Sequence, residues 1–159
     1  RHDNGLAWVV DLPPRDPWPR GWGPSPVDLA LERRTGDVVR GLIRAGAVRS
    51  VHDLSDGGLF AASAQIAMAS GTGLALSLLP GMSAQAALFG EDQARYLLIV
   101  DPVRADDVFD AFEKAEVEAE PIGIAGGCEL AFEGAFAIDI DDLRTAHEAW
   151  MPNFMSTGA

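Results

Sequence analysis

Two short stretches concentrate the residues able to do chemistry in this 159-residue chain: His52-Asp53-Leu54-Ser55-Asp56-Gly57-Gly58-Leu59 and Phe89-Gly90-Glu91-Asp92-Gln93-Ala94-Arg95. The first puts carboxylates, a hydroxyl and a glycine pair into one loop. If residues 47–54 form a strand, Asp53 and Ser55 share a face at its end, because strand side chains alternate. The glycines permit close backbone approach, and a helix opening near Gly58 offers free N–H groups and the positive end of its dipole to a phosphate. Asp53 or Asp56 could then hold the Mg2+ that accompanies such an anion. A plainer reading makes Asp56 a helix cap and Asp53 a turn residue, since caps are far commoner than metal sites. In the second stretch Glu91 could ligate a cation and Gln93 could hydrogen-bond a polar ligand. The plainer alternative there is a solvated acidic turn with a surface ion pair to Arg95. His52 by itself reads as a hydrogen-bonded structural histidine and receives no catalytic role.

Other glycine-rich segments lack the partners their chemistry needs. Gly71-Thr72-Gly73 has no lysine and no following helix, and Gly123-Ile124-Ala125-Gly126-Gly127 lacks the dinucleotide fingerprint. Cys128 is the only cysteine, so neither an intrachain disulfide nor a thiolate metal pair can form, and a reducing cytoplasm suits the chain best. Twelve Lys and Arg against 24 Asp and Glu leave a formal charge of −12, which argues against a partner as polyanionic as nucleic acid. A membrane span is not expected either. Residues 57–90 contain no charged residue or histidine, but Gly71, Gly73, Pro80 and Gly81 interrupt them and leave no long apolar run. Arg1-His2-Asp3-Asn4 has neither an initiator Met nor an apolar core, so it is no signal peptide, and the chain reads as a piece of a longer one.

The elements that must position these stretches alternate in type. Residues 1–23 read as an irregular arm, since six prolines fall between positions 13 and 26 and deny the backbone its donors. Ser25-Pro26 marks a helix start, running to about residue 45 with Leu31, Val38, Val39, Leu42 and Ile43 inward, a break at Gly36 and Gly46 just past its end. Strands are expected over 47–54, 74–79, 95–100, 121–125 and 128–132. Helices are expected over 59–70, over 103–115 with Val108, Phe109 and Phe112 inward, and over 139–150, followed by a loose tail at 151–159. The fold class is therefore α/β, a mixed β-sheet layered with helices, with the main domain over residues 24–150.

VHDLSDGGL at positions 51–59, LFGEDQAR at 88–95 and IGIAGG at 122–127 together resemble the C-terminal domain of the aminoimidazole ribonucleotide synthase superfamily. Within it they are most similar to the synthetase subunits of phosphoribosylformylglycinamidine synthase, and PSPVDLALERRTGDVVRGLI at 24–43 resembles the helix preceding the first motif. Asp92, Ala94 and Gln65 depart from the family's usual Ser, Gly and Glu. The resemblance implies an enzyme using ATP and Mg2+ to activate the amide oxygen of formylglycinamide ribonucleotide as an iminophosphate, which ammonia from a glutaminase subunit displaces. It implies that Asp53 ligates Mg2+ or meets the nucleotide, that Ser55 contacts a nucleotide phosphate, and that Gly90, Glu91 and Gln93 line the same cleft. Gly57 and Gly90 would add backbone donors, and Asp53 and Glu91 would hold the Mg2+ between them. The family's catalytic histidine and main nucleotide-binding strands belong to an N-terminal synthetase domain, so this piece alone is expected to lack synthetase activity. Nearer alternatives lie within the superfamily, namely selenide water dikinase, thiamine-phosphate kinase and the hydrogenase-maturation dehydratase. A noncatalytic nucleotide- or partner-binding module of the same fold is a further alternative.

Overall fold

The computed structural model of the protein describes residues 5–10, 28–78, 83–91 and 94–156. Among these residues seven strands and five α-helices follow in the order β1 (Gly5–Val10), α1 (Leu29–Arg44), β2 (Val48–Asp53), α2 (Gly58–Ser70), β3 (Leu74–Leu76), α3 (Ala84–Phe89), β4 (Tyr96–Val100), α4 (Ala105–Lys114), β5 (Ala119–Ala125), β6 (Glu129–Phe132), β7 (Phe136–Asp139) and α5 (Ile140–Ser156). The strands form one sheet in the order β2-β4-β1-β5-β3-β6-β7. Neighbours are antiparallel except β3 and β6, which makes the sheet mixed, as expected.

Alternation along the central strands builds two cores. Ala7 and Val9 of β1 and Leu97 and Ile99 of β4 face Leu59, Ala62 and Ile66 of α2, while Leu88 of α3 joins from the side. Trp8, Val10, Leu98 and Val100 face the other way, onto Val39 and Leu42 of α1 and Val108 and Phe112 of α4. Strands buried on both faces are apolar throughout, and WVV and YLLIV are such runs.

Several expectations need correction. Gly5–Val10 is a paired strand and not part of an irregular arm; residues 11–27, with Ser25 and Pro26, lie outside the described residues. The cap of α1 is Asp28, whose carboxylate accepts from Ala30 N–H at 2.9 Å and Leu31 N–H at 3.0 Å. The helix continues through Gly36, with Thr35, Val39 and Leu42 buried and Ile43 exposed, and Gly46 follows its end at φ +60°. In α4, Phe109 is half exposed and meets the Trp8 ring edge-on at 6.3 Å instead of entering the core. Two elements were not foreseen, α3 and β7. Residues 151–156 continue α5 through Pro152 rather than forming a loose tail, with Trp150 stacked on Phe154 at 5.4 Å one turn on, while 157–159 lie outside the described residues.

Candidate functional site

β2 is an edge strand, and its last residue, Asp53, pairs with Tyr96 of β4. Leu54 N–H donates to Arg95 C=O at 2.9 Å, which carries the pairing one step beyond the strand and brings the two motifs side by side. The chain then turns through Ser55, Asp56 and Gly57 into α2. Gly57 and Gly58 both take left-handed backbone, at φ +84° and +64°, which places the first turn of α2 directly against the end of α3.

Gly57, not Asp56, is the N-cap of α2, and no side chain within the turn caps the helix. The capping function comes instead from 34 residues away, since Gly57 N–H donates to Glu91 Oε1 at 2.8 Å. A carboxylate at that place also complements the positive end of the helix dipole. Gly90 N–H donates to Ala86 C=O at 3.0 Å, closing α3. Thus neither Gly57 nor Gly90 holds an idle backbone donor in this conformation, contrary to the expectation that both N–H groups face a ligand.

Asp53 is well exposed, at 61% of its side chain. The Ser55 hydroxyl, donating to its carboxylate, is the main influence holding Asp53 below the ordinary carboxylate range, assisted by its own backbone and by His52 and opposed by slight burial. β2 ends at Asp53 and Ser55 lies beyond it in the turn, so the turn and not strand alternation sets their relation. His52 Nδ1 lies 2.6 Å from Asp53 C=O and Nε2 lies 2.9 Å from Gln65 Oε1, so the imidazole is engaged on both sides. It lines an open cleft of about 470 Å3 between the β2 edge and α2, with Ser50, Gln65 and Ser70.

The donors around the turn are mainly oxygens, the Asp53, Asp56 and Glu91 carboxylates and the Ser55 hydroxyl, with His52 Nδ1 3.6 Å from Asp53 Oδ1. That chemistry suits Mg2+, which takes one or two carboxylates and completes its shell with water and phosphate. Among the described residues no group of three or more His, Cys, Asp or Glu side chains converges on one point. Gln93 and Asp92 lie outside the described residues. Arg95 overturns the picture of a solvated ion pair. It is buried at 2% exposure, and its Nη1 donates to Gly90 C=O at 3.1 Å.

Ala94 stands where the resemblance leads one to expect glycine. Its φ is +60°, a left-handed conformation that costs an L-residue roughly 1–2 kcal/mol. Replacement of Ala94 by glycine should therefore stabilise the domain by about 0.5–1 kcal/mol, after allowing for the greater freedom of glycine in the unfolded chain. Denaturant titration checks this, and a lowered midpoint for Ala94→Gly would contradict it.

The described residues contain no helix long and apolar enough to cross a membrane. Comparison with known proteins gives the family of the chain. The chain is 54% identical over 134 residues to phosphoribosylformylglycinamidine synthase subunit PurL of Caulobacter vibrioides, covering 84% of this chain and 18% of that relative. The PurL subunit of a Chelativorans species is 49% identical over 140 residues, covering 86% and 19%. The chain thus spans about one-fifth of the length of these relatives. Among solved structures, phosphoribosylformylglycinamidine synthase II of Thermotoga maritima superposes with a TM-score of 0.73 at 16% identity, over 90% of this chain and 26% of the other, a likeness of fold. T. maritima PurL complexed with ATP gives 0.69 at 17% identity, over 90% and 26%. The family model described as AIR synthase related protein, C-terminal domain, matches residues 6–134, from the central strand β1 to the turn after β6, and the chain belongs to that family.

Proposed function

We propose that this domain forms one wall of the nucleotide cleft in the synthetase subunit of phosphoribosylformylglycinamidine synthase, the ATP-dependent ligase that amidinates formylglycinamide ribonucleotide in purine biosynthesis in the cytoplasm. The observation that carries the reading is the Asp53–Ser55 pair at the open end of β2, beside the glycine turn into α2. Kinship with subunits of that name supports it, as do structural relatives described as complexed with ATP, with ADP and with FGAR. A relative described as PurLQS is an assembly of PurL with other chains, which fits a glutaminase partner supplying ammonia. The N-terminal synthetase domain of the same polypeptide would close the cleft.

In the reaction the substrate amide oxygen takes the γ-phosphoryl group and ADP leaves. Ammonia then adds at the amide carbon, and the C–O bond to the phosphorylated oxygen breaks as phosphate departs. Mg2+ would supply charge neutralisation for the triphosphate, held by Asp53 and by the second oxygen of Glu91. In a chain of net charge −12 an unneutralised triphosphate is repelled, so carboxylates reach phosphate through a cation. Ser55 keeps Asp53 ionised well into mild acid, since its hydrogen bond favours the carboxylate. Through the same bond Ser55 orients the carboxylate; to contact a nucleotide phosphate its single O–H would have to turn from Asp53 to the phosphate. Gln93 would face the nucleotide substrate. Glu91 supports the turn that presents these groups by holding Gly57.

The test is Asp53→Asn in the full-length synthetase, titrated calorimetrically with ATP with and without Mg2+. Affinity in Mg2+ should fall about tenfold, equivalent to roughly 1.4 kcal/mol, with little change without Mg2+ and an unchanged melting temperature. Unaltered affinity in Mg2+, or an equal loss without the metal, would show that Asp53 is a turn residue.

A further inference from the structure

We infer that Arg95 is a positioning residue for the Ser55–Gly58 turn, acting from inside the fold through Gly90 and Glu91. Arginine is almost never fully buried, because removing its charge from water is expensive unless the guanidinium is engaged. Here the side chain is buried at 2% exposure, and its Nη1 donates to Gly90 C=O at 3.1 Å. The main chain of the same residue accepts from Leu54 N–H at 2.9 Å. Arg95 thus holds the end of β2 with its carbonyl and the end of α3 with its side chain. Gly90 suits this contact because a Cβ there would lie 2.5 Å from Ala86 C=O oxygen and 3.3 Å from Arg95 Nη1.

The residue after Gly90 completes the relay. Glu91 accepts from Gly57 N–H at 2.8 Å, so the direction of Gly90 C=O, fixed by Arg95, fixes where the Glu91 backbone starts and whether its carboxylate reaches Gly57. Gly57 in turn is the N-cap of α2, two residues after Ser55 and four after Asp53. The guanidinium is inside the protein while Asp53, Ser55 and Asp56 are exposed, so Arg95 sets the turn without touching a solvent-borne ligand. A lysine at this position carries the charge but lacks the planar fork, and is not equivalent. What the turn binds rests on the reading above; the relay itself does not.

Amide hydrogen exchange of Gly57, followed by NMR in the 159-residue chain, reads the relay without reference to activity. Glu91→Ala removes the acceptor and should accelerate Gly57 exchange about tenfold, as expected for a hydrogen bond to a charged group. Arg95→Met should accelerate it by a similar factor although Arg95 does not touch Gly57, and the double variant should exchange no faster than the faster single one. Because a buried arginine can be needed for folding, the reciprocal measurement uses Glu91→Ala, whose site is exposed: the Arg95 Nε–H resonance should shift there. Wild-type Gly57 exchange in folded Arg95→Met, additive acceleration in the double variant, or an unmoved Arg95 Nε–H in Glu91→Ala would each overturn the inference. Accelerated Gly57 exchange with unchanged Mg2+-ATP affinity in the full-length Arg95→Met enzyme would uphold the relay and count against the nucleotide reading.

Discussion

Replacing Gly58 with alanine is expected to destabilise the domain by about 3 kcal/mol or more, among the largest effects open to a single methyl group. Two causes add. The backbone sits at φ +64°, where a Cβ is strained whatever the space around it. The methyl would also lie 2.7 Å from Leu88 C=O oxygen and 2.9 Å from the Phe89 Cα and carbonyl carbon, all main-chain atoms that cannot rotate aside. Relief requires α2 and α3 to separate, which pulls Leu59 and Leu88 apart in the core and stretches the Gly57–Glu91 bond. Two other glycines isolate the terms. Gly71 has φ +66° and nothing within 4 Å of its missing Cβ, so Gly71→Ala carries backbone strain alone, about 1 kcal/mol. Gly36 is helical and equally open, so Gly36→Ala should stabilise by roughly 0.5–1 kcal/mol. Denaturant midpoints of the three variants should fall in that order, and a Gly58→Ala protein no weaker than Gly71→Ala would remove the steric argument.

This junction also shows what local sequence can and cannot announce. The strand–turn–helix unit around Asp53 was legible because a loosely alternating strand, a polar turn and paired glycines are each local signals. The capping of Gly57 was not, because its acceptor is Glu91 in another motif and the turn carries no capping side chain of its own. Arg95 was misjudged for a related reason. Beside Glu91 and Asp92 it looks like one end of a surface ion pair, and only the tertiary fold, which lays its Nη1 on Gly90 C=O, takes it out of water. α3 had usable local signs: Ser83, which accepts from Ala86 N–H at 3.2 Å, and Gly90 just past its end. β7 had weaker ones. It passes straight into α5, and Asp139, accepting from Asp141 N–H at 2.8 Å, advertises the helix while masking the four-residue strand that it ends.

Deletion of residues 1–10 should abolish cooperative folding, although the adjoining proline-rich sequence made this end look peripheral. β1 lies between β4 and β5 and pairs with both, in register from Leu6 with Val100 on one side and from Gly5 with Ala125 on the other. Its removal exposes two long strand edges at the middle of the sheet, where no loop or helix end can cover them. It also strips both cores at once, since Ala7 and Val9 serve one face and Trp8 and Val10 the other, each at 5% exposure or less. Burying a large apolar side chain contributes roughly 2 kcal/mol, so Trp8, Val9 and Val10 alone approach the ~5–15 kcal/mol by which a whole domain is stable. The consequence should be steeper than for any single core substitution: no sigmoidal thermal transition in circular dichroism, and a tendency to associate through the unpaired edges of β4 and β5. A synthetic peptide of residues 1–10 added in excess should restore part of the transition by filling the gap as a strand, because main-chain pairing on both sides supplies its affinity. A truncated chain that melts cooperatively within about 5 °C of the intact one would show that β4 and β5 can close on each other and that β1 is dispensable.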